Sequence, residues 1–146
     1  MKLDEERLAR YLDDIAAEAI DIESIVGIKG KETDDLLQDP HSLKSLKYST
    51  IVIAEAIAST LQHILAKKFN VVIDGYMSIF TESKKYSLIP VELLKRLHPF
   101  FRFRNMLAHQ YWRVDDKLFV ENLRDGLDDF RAFVNEIRQI IRKDGR

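Results

Sequence analysis

Residues 4–26 read DEERLARYLDDIAAEAIDIESIV, and Leu8, Leu12, Ile15, Ala19, Ile22 and Val26 recur in it at steps of four, three, four, three and four. That is a continuous apolar stripe at helical period. Asp4 is placed to cap the N-terminus, Glu5 and Glu6 suit the positive end of the helix dipole, and Gly27 and Gly30 end the helix. Gly27 to His41 reads as a polar connection. A second helix is expected from about Leu43 to Lys68, capped by Ser42, with Leu46, Ile53, Ile57, Leu61 and Ile64 on one face and Asn70 as a left-handed stop. Thr50 to Ile53 has strand propensity, but its flanks keep helical period, so it reads as a buried helix segment. A shorter helix follows Asp74 to about Lys85. Pro90 suits the first turn of a fourth main segment carrying Leu93, Leu94, Leu97, Phe100, Phe101 and Phe103. Pro99 inside that segment is expected to kink or interrupt it, because it lacks an amide proton and its ring crowds the carbonyl four residues back. The last helix starts after a cap at Asp115 or Asp116 and runs to about Arg142, with Leu123, Leu127, Phe130, Val134, Ile137 and Ile141 in its stripe. The expected fold is a single all-α domain spanning residues 1–146, an up-and-down bundle of four main helices plus a short one.

Composition removes several function classes. With no cysteine among 146 residues, disulfides, thiolate-bound zinc, iron–sulfur clusters and thiol nucleophiles are excluded. His41 and His98 have no partners at ligand spacing, so no metal site is expected. The net charge of −1 argues against a protein whose binding is dominated by neutralising phosphates. The acidic N-terminus lacks the basic start and apolar run of a signal peptide, and no apolar stretch approaches the roughly 20 residues of a membrane span. The expectation is a cytoplasmic protein without membrane contact.

The near-zero net charge conceals a pattern. Residues 1–39 carry twelve acidic and five basic side chains, whereas residues 84–113 carry seven basic and one acidic. The basic segment contains FRFRNMLAHQYWRVD (101–115), which concentrates Arg102, Arg104, Asn105, His109, Tyr111, Trp112 and Arg113 near a helix C-terminus. On an ideal helix Asn105 and His109 share a face, and Arg102 joins them, seven residues from His109 and about 20° away. Arg104 stands about 140° from His109 and would meet it through its long side chain, a helix break near His109, or a second subunit. Histidine moves protons near neutral pH, and arginine forks onto phosphate oxygens and stabilises charge developing on them. RNA brings its own nucleophile, the 2′-hydroxyl. With no carboxylate between Arg102 and Arg113, a two-metal nuclease is disfavoured there. Phe100, Phe101, Phe103 and Trp112 are read as core or dimer packing residues before base-stacking ones, and His63 as a histidine satisfied locally on an apolar helix.

The segment RNMLAHQYW (104–112) resembles the signature of the HEPN superfamily, an arginine, four to six residues and a histidine. Its tail, His109-Gln110-Tyr111, is similar to the R-x4-H-x-Y form of HepT-like toxins. YSTIVIAEAIASTLQHILA (48–66) resembles the second helix of that family, and the helix order matches over most of the chain. The resemblance implies a HEPN-like fold and a metal-independent endoribonuclease toxin of a toxin–antitoxin pair. It also implies a homodimer whose paired motifs line a cleft between subunits. The implied partner is a minimal nucleotidyltransferase antitoxin that attaches adenylate to the motif tyrosine. Carried over, Arg104 and His109 are the catalytic candidates, Asn105 the supporting residue, and Tyr111 the adenylylation site. Arg102 and Arg113 are candidate RNA-binding residues, and no cofactor is implied. Arg102 also satisfies the looser spacing to His109; Arg104 is preferred because Asn105 follows it directly. The alternative within the same resemblance is a non-catalytic dimeric module that binds a nucleotide or a partner.

Overall fold

The Asp4 carboxylate accepts the Arg7 amide at 3.0 Å, and the helix it caps, α1, runs Glu5–Val26 with all six stripe residues buried. The structure, a computed structural model, describes residues 2–27 and 31–145. Its further helices are α2 (Thr33–Leu37), α3 (Pro40–Phe69), α4 (Tyr76–Lys85), α5 (Val91–His109) and α6 (Asp116–Asp144), with a 3₁₀ turn at Tyr111–Arg113 and no strand among the described residues. Gly27 ends α1, its amide bonding the Glu23 carbonyl at 2.8 Å; Gly30 lies outside the described residues. The long helices close a ring. α1 packs on α3 and α6, and α5 packs on the same two, while α4 leans on α3 and α5.

Three expectations need correction. The connection after Gly27 contains the five-residue helix α2, anchored by Leu36, whose side chain is fully buried. α3 starts at Pro40 and not Leu43, and its cap is Asp39 and not Ser42. Asp39 accepts the Ser42 amide at 3.3 Å and the Ser42 hydroxyl at 2.7 Å. Proline at the first helical position loses no bond and has its φ already set. Finally, of the kink or interruption expected at Pro99, the interruption is absent: α5 runs on through the proline, with Leu97, Phe100, Phe101 and Phe103 buried on both sides of it. The price of one missing amide bond is spread over a helix held by tertiary packing.

α3 carries the core. Leu46, Ile53, Ile57, Leu61 and Ile64 are all buried, and so are Ala54, Ala56 and Ala58 around the helix. It is long and apolar enough by composition to cross a bilayer, which the reading of short apolar runs did not anticipate. Even so, 67% of its most apolar window is buried within the bundle, as expected of a helix with neighbours on most sides.

Two long-range devices fix the bundle. Arg124 of α6 donates to the Val26 and Lys31 carbonyls and to Thr33 Oγ1, closing the C-terminal end of α1 onto α2. At the other end the Asp4 amide donates to His63 Nε2 at 3.0 Å, and the Leu3 amide to Asp144 at 3.1 Å. Only an unprotonated ring nitrogen accepts an amide proton. Burial, reinforced by Arg7 and Lys67 and opposed by Asp4, holds the His63 ring below its ordinary value of 6.5.

Gly126 stands mid-helix in α6 for a packing reason. A Cβ there would lie 2.4 Å from Cζ of Phe100, whose buried ring packs edge-on against Phe130 with centroids 4.8 Å apart. Gly126→Ala should therefore destabilise the fold by about 1–3 kcal/mol, because overpacking outweighs the gain in helix propensity. Thermal melting checks this, and an unchanged or raised Tm would contradict it. The His63 contact predicts a pH effect. With the folded-state value depressed, the unfolded chain binds the proton first, so stability is lost as pH falls from 7 through 6.5. His63→Gln should flatten that slope between pH 7 and 5, measured by urea unfolding. A slope equal to wild type would contradict the assignment.

Candidate functional site

α5 ends at His109, where the Gln110 amide bonds the Met106 carbonyl at 2.7 Å and Gln110 turns to φ −145°, outside the helix. The chain then makes the 3₁₀ turn Tyr111–Arg113, and Asp115 caps α6 by accepting the Leu118 amide at 3.1 Å. Thus the helix break contemplated from the sequence exists, immediately after the histidine. His109, Asn105, Arg102 and Arg113 are exposed, and Tyr111 and Trp112 are each 69% exposed with their rings edge to face at 5.5 Å. The neighbouring Phe100, Phe101 and Phe103 are buried, as packing residues should be. Trp112 is no part of the core of this chain, which leaves packing in a dimer as the form of that reading open to it.

Arg104 is placed differently from its neighbours. Its Nη2 donates to Glu55 Oε1 at 3.0 Å, its Nη1 donates to Asn105 Oδ1 at 3.2 Å, and its guanidinium lies 5.1 Å from the Tyr76 ring centre. Its Nε is buried without a partner. A buried donor left unpaired costs about 1–3 kcal/mol, so Arg104 is held but not saturated. Burial pushes the Tyr76 phenol above its ordinary value, with Arg104 opposing and Glu55 reinforcing. The neutral phenol ring therefore offers its face to the cation.

Arg104 and Asn105 are brought together by a hydrogen bond, and Arg113 bonds Gln110 at 3.2 Å. Among the described residues, no hydrogen bond joins Arg104 to His109. The guanidinium turns toward α3 and α4, while His109 sits at the exposed end of α5. Glu55 and Tyr76 were not anticipated. Glu55 had a visible signal, being the single charged residue in the stretch 48–66. Tyr76 had none, because its place depends on how α4 folds back over α5. His63 is satisfied by the N-terminal backbone, accepting the Asp4 amide. No group of three or more metal-ligating side chains gathers among the described residues.

This geometry sits on a fold that is already represented among solved structures. A chain of a toxin–antitoxin crystal structure with AMP-PNP superposes with a TM-score of 0.81 at 19% identity, covering 92% of this chain and 98% of the other. A chain from a mutant of the MntA–HepT toxin–antitoxin gives 0.78 at 19% identity with the same coverage. The cytosolic protein of unknown function YutE from Bacillus subtilis gives 0.81 at 14% identity, over 99% of this chain and 95% of that one. These likenesses establish the fold. Comparison with curated protein sequences gives no significant match. The family described as Ribonuclease HepT-like matches residues 7–137, nearly the whole chain and all of the Arg104–Trp112 segment, and the chain belongs to that family.

Proposed function

We propose that the protein is the toxin of a toxin–antitoxin pair and acts as a metal-independent endoribonuclease in the cytoplasm. The observation that carries this reading is the arrangement at the end of α5. An exposed His109 stands beside exposed Asn105 and Tyr111, with Arg104 anchored one turn back by Glu55, Asn105 and Tyr76. Membership of a family described as ribonucleases supports it, as does the likeness to chains of toxin–antitoxin structures.

In this reading the RNA 2′-hydroxyl attacks the adjacent phosphorus, its proton passes to a base, and the 5′-oxygen leaves with a proton. The products are a 2′,3′-cyclic phosphate and a 5′-hydroxyl. His109 exchanges one of these protons. Arg104 bonds the non-bridging oxygens as charge builds on them. Arg102 and Arg113, exposed on either side, hold the flanking phosphates. A homodimer formed across this end would supply a second His109 for the other proton.

Neutralisation acts on Tyr111. A minimal nucleotidyltransferase antitoxin would transfer adenylate from ATP to the Tyr111 hydroxyl, releasing pyrophosphate. The exposure of that ring leaves it open to such an enzyme. One of the structural neighbours contains AMP-PNP, an ATP analogue, which fits a nucleotide-using partner. The attached phosphate would place negative charge where the RNA backbone should lie. One observation favours the alternative of a non-catalytic module that binds a nucleotide or partner: Glu55 already pairs Arg104.

In excess chelator, the purified protein should cleave a defined RNA, and His109→Ala and Arg104→Ala should each reduce cleavage by about 100-fold or more. Equal cleavage by wild type and His109→Ala would overturn the catalytic assignment, and tight RNA binding without turnover would support the non-catalytic module. Because His109 and Tyr111 are exposed, His109→Ala and Tyr111→Phe should shift stability by no more than about 0.5 kcal/mol. A large drop in Tm would show instead that these residues hold the fold.

A further inference from the structure

Beside Arg104 lies a cleft of about 340 Å³ between α3 and the start of α4, with Glu55, Ser59, Gln62, Ile73, Gly75 and Tyr76 among its lining residues. Its volume is at the small end of the roughly 300–1,000 Å³ of ligand pockets, enough for a nucleobase. The lining divides by chemistry. Glu55, Ser59 and Gln62 follow one another along α3 at steps of four and three, so their polar ends share one face. Ile73 and Tyr76 supply an apolar and an aromatic surface from the α3–α4 connection and from α4. A flat heterocycle needs such a pairing, with apolar surface for its faces and hydrogen-bonding groups for its edge.

The cleft adjoins the proposed active site through shared residues. Glu55 lines it and pairs Arg104 at 3.0 Å, and Tyr76 lines it and lies under the Arg104 guanidinium. We propose that this cleft binds the base of the nucleotide next to the phosphate held by Arg104, and that it selects bases with an exocyclic amino group, guanine foremost. Glu55 is an acceptor only, and just one of its oxygens is bonded to Arg104. Guanine presents two adjacent donors, N1–H and the 2-amino group, which a carboxylate can accept together. Adenine and cytosine present one amino donor beside a ring acceptor. Uracil presents a single N–H between two carbonyl oxygens, which a carboxylate repels. The Arg104 charge offsets that of Glu55, so the carboxylate can stand near the RNA backbone. Glu55 thereby both positions Arg104 and reads the base. The identity of the polymer rests on the ribonuclease reading, whereas the binding of a base does not.

The test titrates the purified full-length protein separately with GMP, AMP, CMP and UMP, followed by calorimetry, and maps the ends of a random-sequence RNA pool after cleavage. GMP should bind about tenfold more tightly than UMP, near the low end of what a two-donor pair contributes. Glu55→Gln should erase that preference, and Ser59→Trp, which fills the cleft from a half-exposed position, should abolish nucleotide binding, with circular dichroism confirming that both variants fold. Guanine should be enriched beside the cleavage position. Base-selective binding without cleavage would uphold the cleft and sink the ribonuclease reading. Cleavage with no base preference and equal affinity for the four nucleotides would do the reverse. A guanine preference unchanged in both variants would also overturn the proposal, by placing the base elsewhere.

Discussion

The burial of α3 is the constraint on which the rest of the structure depends. A thirty-residue helix surrounded by α1, α4 and α5 has little water to satisfy its polar groups. Its polar side chains therefore bond within the protein. Thr50 and Thr60 donate to the carbonyls one turn back, at 2.9 and 2.7 Å, Ser49 donates to Glu18 of α1 at 3.2 Å, and His63 accepts the Asp4 amide. Each of these is a buried polar group that would be costly unpaired. The two that leave the helix, Ser49 to Glu18 and the Asp4 amide to His63, fix the rotation of α3 about its axis. That rotation decides which way Glu55 points, and so which side of α5 can offer it an arginine.

Arg104 is where fold and chemistry meet. Its guanidinium bridges α5, α3 and α4 through Asn105, Glu55 and Tyr76. Such a pair, half open to solvent at Glu55, contributes little to stability. Its effect is positional. An arginine restrained by a carboxylate and an aromatic face has few rotamers left to lose, so the proposed uptake of a phosphate would cost it little entropy. The basic segment 84–113 surrounds it with like charge, and the acidic side chains of the segment 1–39 lie mostly on α1 and α2, where Glu23 pairs Arg131 of α6. The uneven charge along the sequence thus becomes an uneven charge between the two parts of the molecule.

Much of this was legible before any coordinates, because helical period is a local property. The Leu8–Val26 stripe and the run from Leu93 to Phe103 occupy the core as read. The α6 stripe does so as well at Leu123, Leu127, Phe130, Val134 and Ile137, with Ile141 at the margin. Pro99 does not interrupt α5, because its intrinsic penalty is local while the packing of Phe100 and Phe101 is not. The cap is Asp39 and not Ser42 because the Asp39-Pro40 pair, which sets the helix start, lies at the end of a polar stretch with no helical period of its own. The motif from Arg104 to Tyr111 was readable as a string, but the side on which Arg104 faces was not. That depends on contacts forty-nine residues away in sequence, at Glu55, and on the fold-back of α4 that delivers Tyr76.

If the substrate supplies the nucleophile, His109 and Arg104 suffice as proton carrier and charge stabiliser, and the RNA ends must record it. The most direct measurement is the chemistry of those ends, together with cleavage of the same strand carrying one 2′-deoxynucleotide at the cut position. A 2′,3′-cyclic phosphate opposite a 5′-hydroxyl, with no cutting at the deoxy position, is the expected result. A 3′-hydroxyl opposite a 5′-phosphate, with the deoxy strand cut as readily, would mean that water is the nucleophile and would contradict the roles assigned to this site.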